Sequence, residues 1–372
     1  MTDKRPLVSI VANFYNSASF IPKLVKSVLA QTYGQWELIA VNDCSPGRDR
    51  EVLERWAATP EARGRIRVIN NPANQGITRA KQTGIAAATG EYITFIDGDD
   101  WLAPDALATL LRAMTEHRVD IVSGEAVRVF PPAGLRTGCN YRPMRSDSVD
   151  YGRVIEHDEI MDRYYIAFFG ITMFASYAYW GRLYRTELVK SISMPRMCNT
   201  AYEDVIFNML CFERARRIVF IPDHVYYWRW GGTTSGASRR STGDYRARGV
   251  IEQFACLYDM RMKKIEEHSF RKGIDPLRIE LKNVLVAALA PIARYATSDP
   301  RSASAKATLE WTFSLPQYMD MAKLPPGAVE RHRIFSEAYA SRDIDRAYEY
   351  LHTQYRLSSR SRLMRRIASL FS

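Results

Sequence analysis

The chain has 372 residues, is 47% hydrophobic and 12% aromatic, and carries a net charge of +11. That is enough apolar material for one large domain or two, and it excludes an intrinsically disordered chain. Five scattered cysteines without a C-x-x-C pair exclude a zinc knuckle or a disulfide framework, and no uninterrupted apolar run reaches the ~20 residues that span a bilayer.

The opening segment, Met1 to Pro6, is polar and has no secretory signature, so a cytoplasmic protein with reduced thiols is expected. The basic balance suits nucleic acid, an anionic membrane or a phosphorylated ligand, but part of it is local. Arg356 to Ser372 holds five arginines and no acid.

Leu7 to Ala12 reads as a first strand, running into the polar and aromatic turn Asn13-Phe14-Tyr15-Asn16. Phe20, Leu24, Val25, Val28 and Leu29 follow at helical spacing. Trp36 to Val41 reads as a second strand that ends in Asn42-Asp43-Cys44-Ser45-Pro46-Gly47. A helix over Glu51 to Ala58, a strand over Ile66 to Ile69, a loop over Asn70 to Gly76 and a small-residue helix over Thr78 to Ala88 come next. Strands alternating with helices predict βαβ units and a mostly parallel sheet.

The run from Glu91 to Ile96 is short, apolar and rich in aromatic and β-branched residues, which predicts a buried strand. It ends in Asp97-Gly98-Asp99-Asp100. In an open α/β sheet such strand ends form the ligand-binding edge, so Tyr15, Asp43, Asp97 and Asp99 are expected to converge. Crowded carboxylates call for a cation, and hard oxygen ligands suit Mg²⁺ or Mn²⁺. A plain turn followed by a helix cap at Asp100 is the competing reading. No G-x-G-x-x-G follows the first strand and no phosphate loop of the G-x-x-x-x-G-K-[ST] type is present.

Taken together, these segments resemble glycosyltransferase family 2, the inverting enzymes with the GT-A fold. The resemblance spans roughly residues 7–235. It rests on Val8-Ser9-Ile10-Val11 with Tyr15-Asn16, on Glu37 to Ser45, and on Asn74-Gln75-Gly76 through Ala80, Gly84, Ala88 and Gly90 to Asp97-Gly98-Asp99-Asp100. The resemblance implies that Tyr15 stacks on the nucleotide base and that Asp43 accepts a hydrogen bond from it. Asp97 would contact the ribose or metal, and Asp99 would hold the metal bridging the diphosphate. Lys81 matches a basic position near the phosphates, and Asn13 joins the nucleotide-binding set although the family usually has proline there. Asn42 for aspartate, Gln82 for asparagine and the Cys44 turn are further departures. They touch none of the carboxylates but weaken any inference about the sugar.

Leu107, Leu110, Leu111 and Met114 predict an amphipathic helix, and Asp120 to Ser123 a strand. Phe130 to Asp150 reads as a long loop, Asp158 to Phe169 as helical. Ala178 to Arg185 is similar to a family segment that precedes the catalytic acid, with Arg182 where lysine is usual. Tyr202-Glu203-Asp204-Val205 is, by itself, a helix N-terminus with a favourable charge pair. The resemblance makes Asp204 the general base, with Glu203 as runner-up or positioning partner. Arg217 to Pro222 is a further strand. Tyr226 to Ser235 is similar to an aromatic-basic segment whose Arg229 would pair with phosphate and whose glycines suit a lid.

From about Asp244 the pattern is helical, with stripes at Val250, Phe254, Leu257, Tyr258 and at Leu281, Val284, Leu285, Leu289. Leu363, Ile367, Leu370 and Phe371 share one helical face and the arginines of the tail flank it, which predicts a cationic amphipathic helix at a membrane interface. The expected architecture is therefore α/β of the GT-A type, a Rossmann-like, mostly parallel sheet flanked by helices with a C-terminal helical appendage. Residues 1–240 form the nucleotide-sugar and catalytic domain (donor half to about 125, acceptor half 126–240), and 241–372 the helical region. The expected function is metal-dependent, inverting transfer from a nucleotide sugar, most simply a UDP-sugar, to a surface-polysaccharide or lipid-linked glycan at the inner face of the cytoplasmic membrane. No nucleic-acid partner is expected. A non-catalytic basic binding protein and a sugar nucleotidyltransferase are the alternatives.

Overall fold

A computed structural model of the chain describes residues 5–130, 140–144, 149–165, 178–194, 203–231, 244–268, 274–319 and 332–371. The chain divides into two compact units, residues 1–168 with 172–238, and residues 169–171 with 239–372.

The first unit is built on one sheet with strand order β3-β2-β1-β4-β9-β6-β10-β5, where β7 pairs with β6 and β8 with β10. The strands are β1 (Val8–Phe14), β2 (Trp36–Asn42), β3 (Ile66–Asn70), β4 (Tyr92–Asp97), β5 (Trp101–Leu102), β6 (Ile121–Phe130), β7 (Asn140–Met144), β8 (Val154–Glu156), β9 (Arg182–Arg185) and β10 (Arg217–Arg229). β1, β2, β3 and β4 run parallel as the helical crossovers require. The short β9 runs antiparallel to both β4 and β6, so β6 and β10 regain the direction of β1. The sheet is thus mostly parallel, as expected.

The reason β1 and β4 sit at the centre is visible in their sequences. Val8, Ile10, Ala12 and Phe14 are wholly buried and Val11 is nearly so, and β4 is buried from Tyr92 to Ile96. Such strands read as continuous apolar runs because both faces are covered. The helices α1 (Ile21–Leu29), α2 (Asp49–Ala57), α3 (Ile77–Ala87) and α4 (Ala106–His117) supply that cover. Helix α3 lies so close that a Cβ on Gly84 would stand 2.3 Å from Cγ1 of Val11.

Four elements differ from the sequence expectation. The segment Arg182–Arg185 is a strand, inserted where β4 and β6 would otherwise have no common neighbour. The loop expected over Phe130 to Asp150 contains β7, which pairs with β6. β10 does not stop at Pro222 but continues to Arg229. Its register shifts between Phe220 and Tyr226, where the proline removes a ladder donor. The helix expected over Asp158 to Phe169 is a short turn followed by a π-type turn over Ile160–Tyr165, and residues 166–169 lie outside the described residues.

The second unit is helical: Asp244–Glu267, Ile274–Leu289, Ala303–Phe313, Arg333–Ala340 and Ile344–Phe371. Phe254, Leu257 and Tyr258 are buried with Ile251, while Val250 is only partly so. Leu281, Val284, Leu285 and Leu289 are all buried. The last helix reaches Phe371, but the side chains of 358–371, and with them the expected apolar and basic faces of the tail, lie outside the described residues.

Candidate active site

The carboxyl ends of β1, β2 and β4 form one edge. Asn13 stands beside Asp97 and Phe14 beside Asn42 in the strand register. Beyond β1, Tyr15 is 48% exposed on the rim, open to a planar ligand. Its loop is tied to the loop after β2 by Asp49, a fully buried acid in the first turn of α2. Asp49 accepts from the backbone amides of Ser17 (2.6 Å) and Ala18 (3.0 Å) and from Oγ of Ser45 (3.0 Å). Ser45 Oγ in turn accepts from the Asn16 amide at 3.1 Å. Sequence reasoning passed over Asp49, because an acid in a first helical turn ordinarily needs only the helix dipole as its explanation.

Asp43 is buried and already well supplied with donors. Its Oδ1 accepts from Nδ2 of Asn71 (2.8 Å) and from the Gln75 amide (3.0 Å), its Oδ2 from the amides of Gln75 (3.1 Å) and Gly76 (2.8 Å). The Gln75 amide is shared between the two oxygens. A carboxylate offers about four lone-pair sites, so these donors take most of its acceptor capacity and lock the group in place.

At the end of β4 the turn Asp97-Gly98-Asp99-Asp100 folds back against β1. A Cβ on Gly98 would stand 2.5 Å from the carbonyl oxygen of Asn13, so the glycine serves close backbone approach rather than a left-handed turn. Asp100 is buried and does not cap a helix. Its Oδ2 accepts from the Tyr226 hydroxyl (2.8 Å) and its Oδ1 from the Arg229 amide (2.7 Å). Burial and the neighbouring charges of Asp99 and Asp97 push its carboxyl well above the usual carboxylate range. Arg229 donates through Nε to the Asp99 carbonyl at 2.9 Å, and its guanidinium lies 5.0 Å from the rings of both Phe20 and Trp101.

Glu203 and Asp204 lie within electrostatic reach of this corner. Lys81, buried on α3, puts Nζ 3.3 Å from Oδ1 of Asp97 and 3.7 Å from the centre of the Tyr179 ring. Glu203 and Asp204 open the helix Glu203–Arg214. Asp204 is pushed up to about 7, first by loss of solvent and then by the Glu203 charge; Lys81 pulls the other way, and Asp97 adds to the rise. Burial likewise raises Glu203, which Lys81 opposes.

The helix start is held by Asn208, which the sequence did not single out, and by residues of the Ala178 to Arg185 segment, which it did. Asn208, fully buried one turn on, donates to the carbonyls of Asp204 and Ala178 (both 3.0 Å). Its Oδ1 accepts from Nη1 of Arg182 (2.6 Å) and from the Tyr184 hydroxyl (2.8 Å). Tyr179 donates to the Glu203 carbonyl at 3.2 Å. Arg182 is thus a buried structural cation on β9, 1% exposed.

A sequence model described as glycosyl transferase family 2 matches residues 9–174. Residues 9–174 belong to glycosyl transferase family 2. The chain is 33% identical to the uncharacterized glycosyltransferase EpsJ of Bacillus subtilis over 232 residues, 60% of this chain and 61% of EpsJ. The match therefore spans about three fifths of that relative's length. Glycosyltransferase GlyG of Streptococcus pneumoniae is 28% identical over 75% of this chain and 86% of its own. Among solved structures, S. aureus TarS 1–349, crystallised with UDP-GlcNAc, aligns with a TM-score of 0.62 at 18% identity, covering 94% of this chain and 92% of that one. That likeness is one of fold, and it agrees with the GT-A architecture of the sheet.

The corner of the family 2 domain offers the chemistry a hard divalent ion needs. Asp97 and Asp99 are oxygen donors, and Asn13, the register neighbour of Asp97, has a buried Oδ1 without a hydrogen-bond partner among the described residues. Asp100 is already used by Tyr226 and Arg229. Among the described residues, Asp97, Asp99 and Asp100 do not form a set of ligand atoms all within 4.8 Å of one another. Two protein carboxylates are a donor set that fits Mg²⁺ or Mn²⁺, ions that complete their shell with phosphate and water oxygens.

Proposed function

We propose that this protein is a metal-dependent inverting glycosyltransferase that moves a sugar from a UDP-sugar to a hydroxyl of a surface-polysaccharide or lipid-linked glycan. The observation that carries this reading is the convergence of Asp97 with Lys81, Glu203 and an Asp204 poised near neutrality. The UDP-GlcNAc bound by TarS supports the choice of nucleotide, and the family 2 match supports sugar transfer.

Tyr15 would stack on the base and Asp43 would accept from its imide. Asp97 and Asp99 would hold Mn²⁺ or Mg²⁺, which when bound neutralises charge on the diphosphate leaving group. Arg229, beside the same turn, would face phosphate oxygens. Asp204 takes the proton of the acceptor hydroxyl as that oxygen forms its bond to the anomeric carbon. The bond from that carbon to the diphosphate oxygen breaks, and the configuration inverts. Glu203 keeps the proton affinity of Asp204 high, and Lys81 prevents it from rising out of range. The basic tail, Arg356 to Ser372, would bring the enzyme to an anionic membrane surface where lipid-linked acceptors reside.

The test is release of free nucleoside diphosphate from a panel of UDP- and GDP-sugars with Mn²⁺ or Mg²⁺, with and without an acceptor extract. Turnover of a UDP-sugar that is lost in excess chelator and in Asp99→Ala is the expected result. Full activity of that variant in chelator removes the metal assignment. No release from any donor favours a binding protein without chemistry.

A further inference from the structure

The strand β10 reaches both ends of the acidic turn. The Tyr226 hydroxyl accepts from the Asp97 amide at 3.0 Å and donates to Oδ2 of Asp100 at 2.8 Å. Three residues along, the Arg229 amide donates to Oδ1 of Asp100 at 2.7 Å, and Arg229 Nε to the Asp99 carbonyl at 2.9 Å. The phenol ring has no freedom of its own. Tyr226 is fully buried, and Trp180 stacks on it with centroids 4.7 Å apart and planes 7° from parallel. Its strand is pinned on one side by β6 and on the other by β5, whose Leu102 is its register partner.

Asp100 is 1% exposed and both of its oxygens accept from β10. It points its acceptors at the scaffold, not at a ligand. Asp97 and Asp99 follow different geometry: they flank Gly98, whose backbone is pressed against β1. The turn is therefore clamped from two directions, by β1 through the glycine and by β10 through Tyr226.

We propose that Tyr226 is a positioning residue for the Asp97 and Asp99 carboxylates and that Asp100 is its anchor rather than a metal ligand, a role that rests on reading this corner as a metal–diphosphate site. The buried hydroxyl spends its acceptor and its donor on the turn itself. It fixes the backbone at Asp97 and, through Asp100, the far end of the turn, so the two remaining carboxylates are held at a set separation before metal arrives. Groups that orient metal ligands in this way typically change affinity by about 10–100-fold when removed.

The test compares Tyr226→Phe, Asp100→Asn and the double variant with the full-length protein. Mn²⁺ binding in the presence of UDP is read from the electron paramagnetic resonance of free Mn²⁺, beside thermal melting and the Mn²⁺ concentration for half-maximal donor turnover. The expected result is Mn²⁺–UDP binding weakened about tenfold in Tyr226→Phe, with a parallel rise in half-saturating Mn²⁺. Asp100→Asn moves in the same direction, and the double variant loses no more than the worse single one, because both act through one network. Should Tyr226→Phe fold poorly, Asp100→Asn, which keeps the shape of the side chain, carries the reading. Wild-type Mn²⁺ affinity in either folded single variant, or losses that simply add, overturns the proposal. If the unaltered protein binds no Mn²⁺ with UDP, the metal reading of the corner falls first, and this proposal with it.

Discussion

Asp204 illustrates how a site is tuned by its surroundings. An aspartate held near 7 by desolvation and by Glu203 is charged often enough to take a proton at neutral pH, and basic enough to want it. Turnover should therefore rise with pH through about 7, as the carboxyl loses its own proton. Asp204→Asn should lower kcat by about 10²–10⁴ while leaving the donor KM nearly unchanged, measured as nucleoside diphosphate release at saturating acceptor. The same shift has a stability sign. The folded state keeps a proton that the unfolded chain has already released above about 4, so ionising Asp204 removes stability as pH rises toward 7. Asp204→Asn should thus raise the melting temperature at pH 8 by clearly more than at pH 5, where only the first part of that loss has accrued. Melting curves at the two pH values check this, and a loss of stability at pH 8 would count against it. The Glu203–Asp204 pair was visible in the sequence as a helix-opening charge pair. Its elevated proton affinity was not, because that comes first from burial by the tertiary packing, with the remote Lys81 opposing it and Asp97 adding a little.

Two contacts between elements decide where these groups stand. The first is the β1–β4 corner, where Gly98 leaves no room for a methyl group against the Asn13 carbonyl. Gly98→Ala should cost about 1–3 kcal/mol from overpacking, visible in chemical denaturation, and should depress Mn²⁺-dependent turnover more than stability. The second is the helix Glu203–Arg214, whose first turn is fastened to β9 by Asn208 and Arg182. Removing the acceptor in Asn208→Leu takes one partner from a buried guanidinium, for which a loss of about 1–3 kcal/mol is expected in urea unfolding. At this scale the sequence was partly legible. The alternating strands and helices of the first half read directly, since each buries a continuous apolar run or a regular stripe. β9 and the later part of β10 did not, because a short strand with arginines at both ends and a strand interrupted by Pro222 carry no strand periodicity of their own.

For the molecule as a whole, the charge is unevenly placed. The final stretch from Arg356 carries five of the basic residues without an acid. Each arginine near an anionic leaflet contributes about 1 kcal/mol, so a salt-sensitive attachment is expected. Deleting residues after about Tyr355 should lower binding to vesicles containing anionic lipid at low salt and spare donor hydrolysis. Equal binding of the full and truncated chains in a vesicle flotation assay would remove the membrane role from this tail. Among the described residues no helix is long and apolar enough to cross a membrane.

The α/β alternation, the burial of β4, and the placing of Tyr15, Asp43 and Asp97 at or just beyond the ends of parallel strands were legible in the sequence alone. Those features follow from local composition and period, which each segment carries regardless of its neighbours. Tertiary structure decided the division of labour within the acids. Asp49 became a tie between two loops, and Asp43 a group with most of its acceptor sites already taken. Asp100 was drawn into the scaffold by Tyr226, 126 residues away. Lys81 joined Asp97 and the charge field of Asp204. A carboxylate takes its role from the donors and charges within a few ångströms of it, and it is the folding of distant strand ends onto one edge that supplies them.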